Sequence, residues 1–257
     1  MKGSSRLIVA IVAVAVWAAI TVIGGLVQAG QGSLGSLVSR QVTLATPLAA
    51  LFLLVVAWRM GWNDIGLNGP RPRSSSWLLW PVAIYIVFFA TIGLINHQPT
   101  AHALIFVAIN TAFVGFSEEL AFRGILWGAA RKTLPFWTGV LLVSGLFGAI
   151  HLLNVFITGE LSEAAIQALN AFISGFGYLA MRIRTRSIWP IIIGHWLWDF
   201  SIFLSSADPT KAAQATTAGN PLYGLALVAP IALYGLWLLR TAEYRRLDDD
   251  FEGRSTR

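Results

Sequence analysis

Residues 103–129 read ALIFVAINTAFVGFSEELAFRGILWGA. As a helix, at 1.5 Å per residue, this stretch reaches about 40 Å, more than the ~30 Å thickness of a bilayer hydrocarbon core. Its only charges are Glu118, Glu119 and Arg123. A charged side chain at mid-bilayer costs about 2.5–3.5 kcal/mol on insertion scales. Three of them in so apolar a segment therefore need partners, a wet cavity, or both.

The rest of the chain places this stretch in a membrane. Of 257 residues, 56% are hydrophobic and only 12% charged, too little charge to cover a soluble domain of this size. The apolar residues fall into eight runs, at about 7–28, 43–61, 76–96, 103–129, 137–157, 164–182, 188–206 and 221–240, each of roughly spanning length. The sixth is diluted by Gln167, Asn170 and Ser174, and Arg182, Arg184 and Arg186 terminate it. The expectation is an all-α polytopic bundle of about eight transmembrane helices, forming a single transmembrane domain over 1–257. Its catalytic core lies at about 100–206, followed by a disordered cytoplasmic tail at 241–257. The run from Leu7 to about Val27 reads as a retained first span, because no small-residue cleavage site follows a short apolar core.

Of the 18 Lys and Arg, all but Arg40, Lys211 and Arg123 belong to the N-terminus, the loops after spans two, four and six, and the tail. The positive-inside rule puts that end, and both termini, in the cytoplasm. Trp58, Trp62, Trp77, Trp80, Trp127, Trp137, Trp189 and Trp237 fall near the same ends of their spans, the headgroup level that indoles favour. Trp17, Trp196 and Trp198 lie deeper. The net charge of +6 is thus accounted for by topology, and no nucleic-acid partner is expected. Without cysteine, disulfides, thiol catalysis and thiolate-held zinc are excluded.

Within the spans the ionisable residues are Glu118, Glu119, Arg123, His151, His195 and Asp199. All lie on spans four, five and seven, at similar depth. Glu119 and Arg123 are four apart with the acid N-terminal, the favourable order for a helical ion pair. Glu118 points about a third of a turn away and is free to act as a general base. His195 and Asp199 are also four apart. His151 and Asn154 share a face, and Phe147 lies one turn before the histidine. Taken singly, a buried histidine is often a packing residue and Glu119–Arg123 a structural pair; together the six point to chemistry. Trp196 and Trp198 project to different faces, so that one lines a groove or both simply pack.

Glu118-Glu119-x-x-x-Arg123, Phe147-x-x-x-His151 and His195-x-x-x-Asp199 resemble, in order, the three motifs of the CPBP family, which groups CAAX prenyl endopeptidases with bacteriocin-processing and bacteriocin-immunity proteins. The resemblance covers roughly residues 100–205. The third motif ends in Asp199, as in many prokaryotic members, where the eukaryotic CAAX enzymes carry asparagine. The resemblance implies a glutamate-dependent intramembrane endopeptidase without cofactor. Glu118 and His151 would activate the attacking water, His195 and Asp199 would hold the scissile carbonyl and its oxyanion, and Glu119 and Arg123 would support the site. Asn154 is added as a supporting candidate from its place beside His151. The implied partners are the lipid bilayer and a peptide or lipidated protein substrate, cut near the cytoplasmic face of a bacterial cytoplasmic membrane. Three alternatives use the same residues: a zinc protease, although His-Glu-x-x-His is absent; a proton-coupled transporter, although repeated halves are not evident; and a non-catalytic immunity protein.

Overall fold

A computed structural model describes residues 3–29, 38–39, 41–96, 100–205 and 221–241. The described residues form helices and connecting turns without any strand. Expectations for the tail beyond residue 241 and for Arg40 and Lys211 lie outside them. Each expected span contains a helix. These are α1 (Gly3–Ala29), α2 (Ala45–Arg59), α3 (Trp80–Asn96, entered through a 3₁₀ turn at Arg73–Leu79), α4 (Ala101–Glu119), α5 (Phe136–Ile150), α6 (Leu161–Thr185), α7 (Trp189–Ser205) and α8 (Pro221–Leu238).

Five helical segments are long and apolar enough to cross a bilayer alone: Gly3–Gln28, Arg73–Asn96, Ala101–Ala130, Phe136–Ile157 and Leu161–Thr185. The other three, α2, α7 and α8, hold 15, 17 and 18 residues, or about 22–27 Å of helix. Large apolar side chains face outward all around the bundle, among them Ile23, Leu48, Ile84, Leu94, Leu141 and Leu233. In water such a surface would drive association; against lipid it is the expected exterior. The protein is an integral membrane protein.

Helix α6 lies at the centre, packed on α5 and α8, while α7 packs on α3 and α4, and α1 on α2. Its diluting residues Gln167, Asn170 and Ser174 explain themselves here: they line an internal cavity and do not meet lipid. The α4–α7 contact depends on Gly115, where a Cβ would stand 3.0 Å from the Trp196 amide nitrogen. Any side chain there would push α7 away from the acidic end of α4.

Each end of the bundle has a polar anchor. At the Arg/Lys-rich end, Asp64 receives Arg6 at 2.6 Å, Arg131 at 3.0 Å and Lys132 at 2.8 Å, and Arg6 also lies over the Trp62 ring. Burial pushes the Asp64 carboxyl up, but hydrogen bonds from Arg6 and Lys132 and the charges of Arg6 and Arg131 outweigh it, leaving the group below the usual carboxylate range. This cluster ties the start of α1 to the loop after α2 and to the end of the α4 helix. At the opposite end, Asn110 is fully buried. It donates to the Val38 and Gln41 carbonyls and accepts from Thr43 through both amide and hydroxyl, so its carboxamide is fully employed.

At the Arg/Lys-rich end the bundle covers three residues that the sequence puts at span ends. Trp127 is completely buried in the core, and Trp62 is nearly so. Arg182 does not end its helix. Helix α6 continues to Thr185, and Arg182 is 2% exposed, its guanidinium occupying the space that a Cβ on Gly66 (φ +83°) would need.

Candidate functional site

The α4 helix does not continue as an ideal α-helix past its acids. Leu120–Leu126 form a π-helical stretch, completely buried, before α-helix resumes at Trp127–Ala130. Such i→i+5 insertions are rare and concentrate at functional sites. The expected ion pair forms across this junction: Arg123 Nη1 donates to Glu119 Oε1 at 3.2 Å. Arg123 Nη2 donates to the Gly175 carbonyl of α6 at 3.1 Å, and the guanidinium lies 3.9 Å from the centre of the Phe147 ring. One cation thus joins α4, α5 and α6.

Glu119 does more than the sequence indicated. The same Oε1 accepts from His195 Nδ1 at 2.8 Å, a bond that fixes the ring of α7. His195 Nε2 is then turned toward Glu118 Oε2 at 3.8 Å and Asp199 Oδ2 at 3.5 Å. Exposure divides the group in two. Glu119 and Arg123 are sealed, at 0% and 1%, whereas Glu118, His195 and Asp199 keep 18%, 13% and 27%. Glu118 Oε2 has no hydrogen-bond partner.

Helix α5 ends where the chemistry begins. At Ile150 it tightens into a 3₁₀ turn, His151–Asn154, followed by the short helix Val155–Thr158. His151 Nδ1 lies 2.7 Å from the Phe147 carbonyl, a bond in which the ring N–H donates and which leaves Nε2 as the free nitrogen. Phe147 sets its edge or face against both imidazoles, at ring separations of 5.0 Å to His151 and 6.4 Å to His195. Asn154 donates to Gln167 of α6 at 2.8 Å.

One cavity of about 370 Å³ is lined by all seven residues singled out from sequence: Glu118, Glu119, Arg123, His151, Asn154, His195 and Asp199. Helices α4, α5 and α7 therefore do bring the three motifs together. Trp198 lines the cavity, while Trp196 is turned into α4 and donates to the Ala108 carbonyl at 2.9 Å. Sequence reasoning missed Tyr178, which lines the cavity, lies 5.9 Å from the His195 ring and keeps a buried hydroxyl without a partner. It also missed Trp17, whose indole donates to Ser117 Oγ at 2.6 Å beside the acids, and Gln167. Only their depth in the spans marked them, and depth alone does not tell an inward residue from a lipid-facing one.

The cavity has a direction. Beyond the cluster, its lining residues on every contributing helix lie toward the end remote from the Arg/Lys cluster, such as Gly25 on α1, Thr46 on α2, Ile157 after α5, Gln167 on α6, Phe203 on α7 and Gly224 on α8. The cluster is thus the floor of a cavity that leads away from the basic end. Among the described residues, no group of three His, Asp or Glu side chains is arranged to hold a metal ion.

A family model described as Type II CAAX prenyl endopeptidase Rce1-like matches residues 100–201, a stretch that runs from the start of α4 through Asp199 on α7. No curated protein and no solved structure gives a significant match.

Proposed function

We propose, from the match of residues 100–201 to the type II CAAX prenyl endopeptidase family model, that the chain hydrolyses a peptide bond of a membrane-associated substrate, with Glu118 and His151 as the water-activating groups. The observation that carries this reading is the unequal treatment of two adjacent glutamates. Glu119 is buried and holds both Arg123 and His195, whereas Glu118 lines the cavity with an oxygen that makes no hydrogen bond and has His195 Nε2 at 3.8 Å. A general base needs that freedom, within reach of the proton it takes.

The gaps around His195 Nε2, 3.8 Å to Glu118 and 3.5 Å to Asp199, are too long for direct hydrogen bonds. In the proposed reaction, a water between Glu118 and His151 gives up its proton to Glu118 as its oxygen bonds to the carbonyl carbon. His195 and Asp199, the latter with its carboxyl protonated so that the O–H donates, hold the carbonyl oxygen while it carries negative charge. The C–N bond then breaks as the proton passes to the leaving amine. Glu119 acts through His195 as a positioning residue, and Arg123 through Glu119.

The test is hydrolysis of a membrane-tethered reporter peptide in reconstituted vesicles. Glu118→Gln and His151→Ala are each expected to abolish cleavage while the protein inserts and purifies as a single species. Full cleavage by either variant would overturn its assignment. For the natural substrate, membrane proteomes of cells carrying the intact protein or Glu118→Gln are expected to differ by a missing cleavage product.

A further inference from the structure

We infer that the cavity admits its substrate from the end of the bundle remote from the Arg/Lys cluster, the extracytoplasmic side under the positive-inside rule, and that it takes an uncharged, mainly apolar peptide segment in extended form. The inference rests on the hydrolytic reading for its word "substrate" but on cavity geometry for its direction.

Three observations carry it. First, the route toward the basic end is closed. Below the cluster stand the wholly buried residues of the π-helical stretch, Leu120–Leu126, and Trp127. Below these, Asp64 is locked by Arg6, Arg131 and Lys132. Second, the cavity extends the opposite way, reaching Thr46 and Val38 beside the Asn110 anchor on one wall and Phe203 and Gly224 on others. Asp199, one turn further along α7 from His195 in that direction, is 27% exposed against 13% for His195 and 18% for Glu118.

Third, the wall chemistry selects an occupant. Among the described residues, the carboxylates lining the cavity are Glu118, Glu119 and Asp199. Arg123 is engaged by Glu119 and Gly175, and His195 faces all three carboxylates with its Nδ1 already given to Glu119. An acidic side chain near the scissile bond would have to compete with three carboxylates for these groups. Above the floor, α5 and α6 present Asn154, Gln167, Asn170 and Ser174 among otherwise apolar residues. A carboxamide both donates and accepts, and an extended backbone at membrane depth needs partners of both kinds. Asn170 Oδ1 is buried without one.

The absence of native cysteine makes a direct test available. Single cysteines are placed at Ser174 and Thr46, which line the cavity, and as controls at the exposed residues Ser162, at the far end, and Ser74, at the basic end. Each variant is treated in oriented membranes with a membrane-impermeant maleimide applied to one face. Ser174→Cys and Thr46→Cys are expected to react from the face that labels Ser162→Cys and not from the face that labels Ser74→Cys. Reaction from the Ser74 face, or from neither face while both controls react, would overturn the inference. A leucine-rich uncharged peptide added at the reactive face is expected to slow labelling of Ser174→Cys more than its glutamate-substituted analogue; equal or reversed protection would overturn the substrate class. None of these readouts needs catalysis. Far-face labelling together with undiminished cleavage by Glu118→Gln would leave the access route standing and remove the catalytic assignment.

Discussion

Among the described residues, two buried charge clusters are built on opposite plans. Around Asp64 one carboxylate faces three cations, and both of its oxygens are engaged at 2.6–3.1 Å. Around His195 three carboxylates face one arginine and two imidazoles, and Glu118 Oε2, Glu119 Oε2 and the Tyr178 hydroxyl are left without hydrogen-bond partners. Buried polar atoms are ordinarily satisfied because desolvation without a partner costs about 1–3 kcal/mol each. In the first cluster both carboxylate oxygens obey that rule, although Arg6 Nε makes no hydrogen bond, and the cluster ties three segments of chain together. In the second the carboxylates themselves break it, and the breach lies against a cavity. Unspent carboxylate capacity beside a cavity, more than burial or charge, is what separates this site from the strut.

The sharpest way to break this comparison is to neutralise one acid in each cluster. Glu118→Gln is expected to lower the cleavage rate by about 10²–10⁴-fold, the usual contribution of a general base, with little change in thermal unfolding. Asp64→Asn is expected to do the reverse. Stripping a buried partner from its cations costs about 3–5 kcal/mol, read as a lower unfolding midpoint in detergent, while the rate at permissive temperature stays near that of the unchanged protein. If Asp64→Asn abolished cleavage without loss of stability, or Glu118→Gln unfolded the protein, the division would fail.

A smaller effect probes the link between strut and site within the second cluster. A Cβ at Gly175 would stand 2.7 Å from Phe147 and 3.0 Å from Arg123 Nη2. Gly175→Ala is therefore expected to destabilise by about 1–3 kcal/mol and, through Arg123, Glu119 and His195, to lower kcat more than it changes KM. Steady-state kinetics with the reporter peptide separate the two.

The smallest expected effect is on pH. The folded Asp64 carboxyl lies below its unfolded value, so its stabilising contribution is complete above the ordinary carboxylate pKa of about 4 and fades as pH falls toward the lower folded value. The gap in unfolding midpoint between the unchanged protein and Asp64→Asn is expected to be widest at neutral pH and to narrow below about pH 4. A gap that widened on acidification would reverse the assigned sign.

Much of this architecture was legible in the chain. Long apolar runs carry their own fold instruction, because a lipid-exposed backbone must satisfy itself helix by helix, and the six ionisable residues stood out because each is costly in that setting. The four-residue spacing of Glu119 and Arg123 foretold their ion pair even though the turn between them is π-helical. Glu118 was read as the free acid for the same reason, and its cavity position agrees. Local periodicity reports which residues share a face of one helix, and to that extent it sufficed.

What the sequence determined, then, is the all-helical membrane character, the end of the bundle that carries the basic residues, and the helices that bear the reactive groups, since all three follow from local hydropathy and charge. Which partner each group meets, and on which side the site opens, only the tertiary structure decided. That Glu119 clasps His195 across a separation of 76 residues, that Arg182 is buried against Gly66, that Trp127 is core, and that the cavity leads away from the basic end all depend on how helices are rotated and packed against one another. Rotation about a helix axis leaves hydropathy unchanged, so no count along the chain can reveal it.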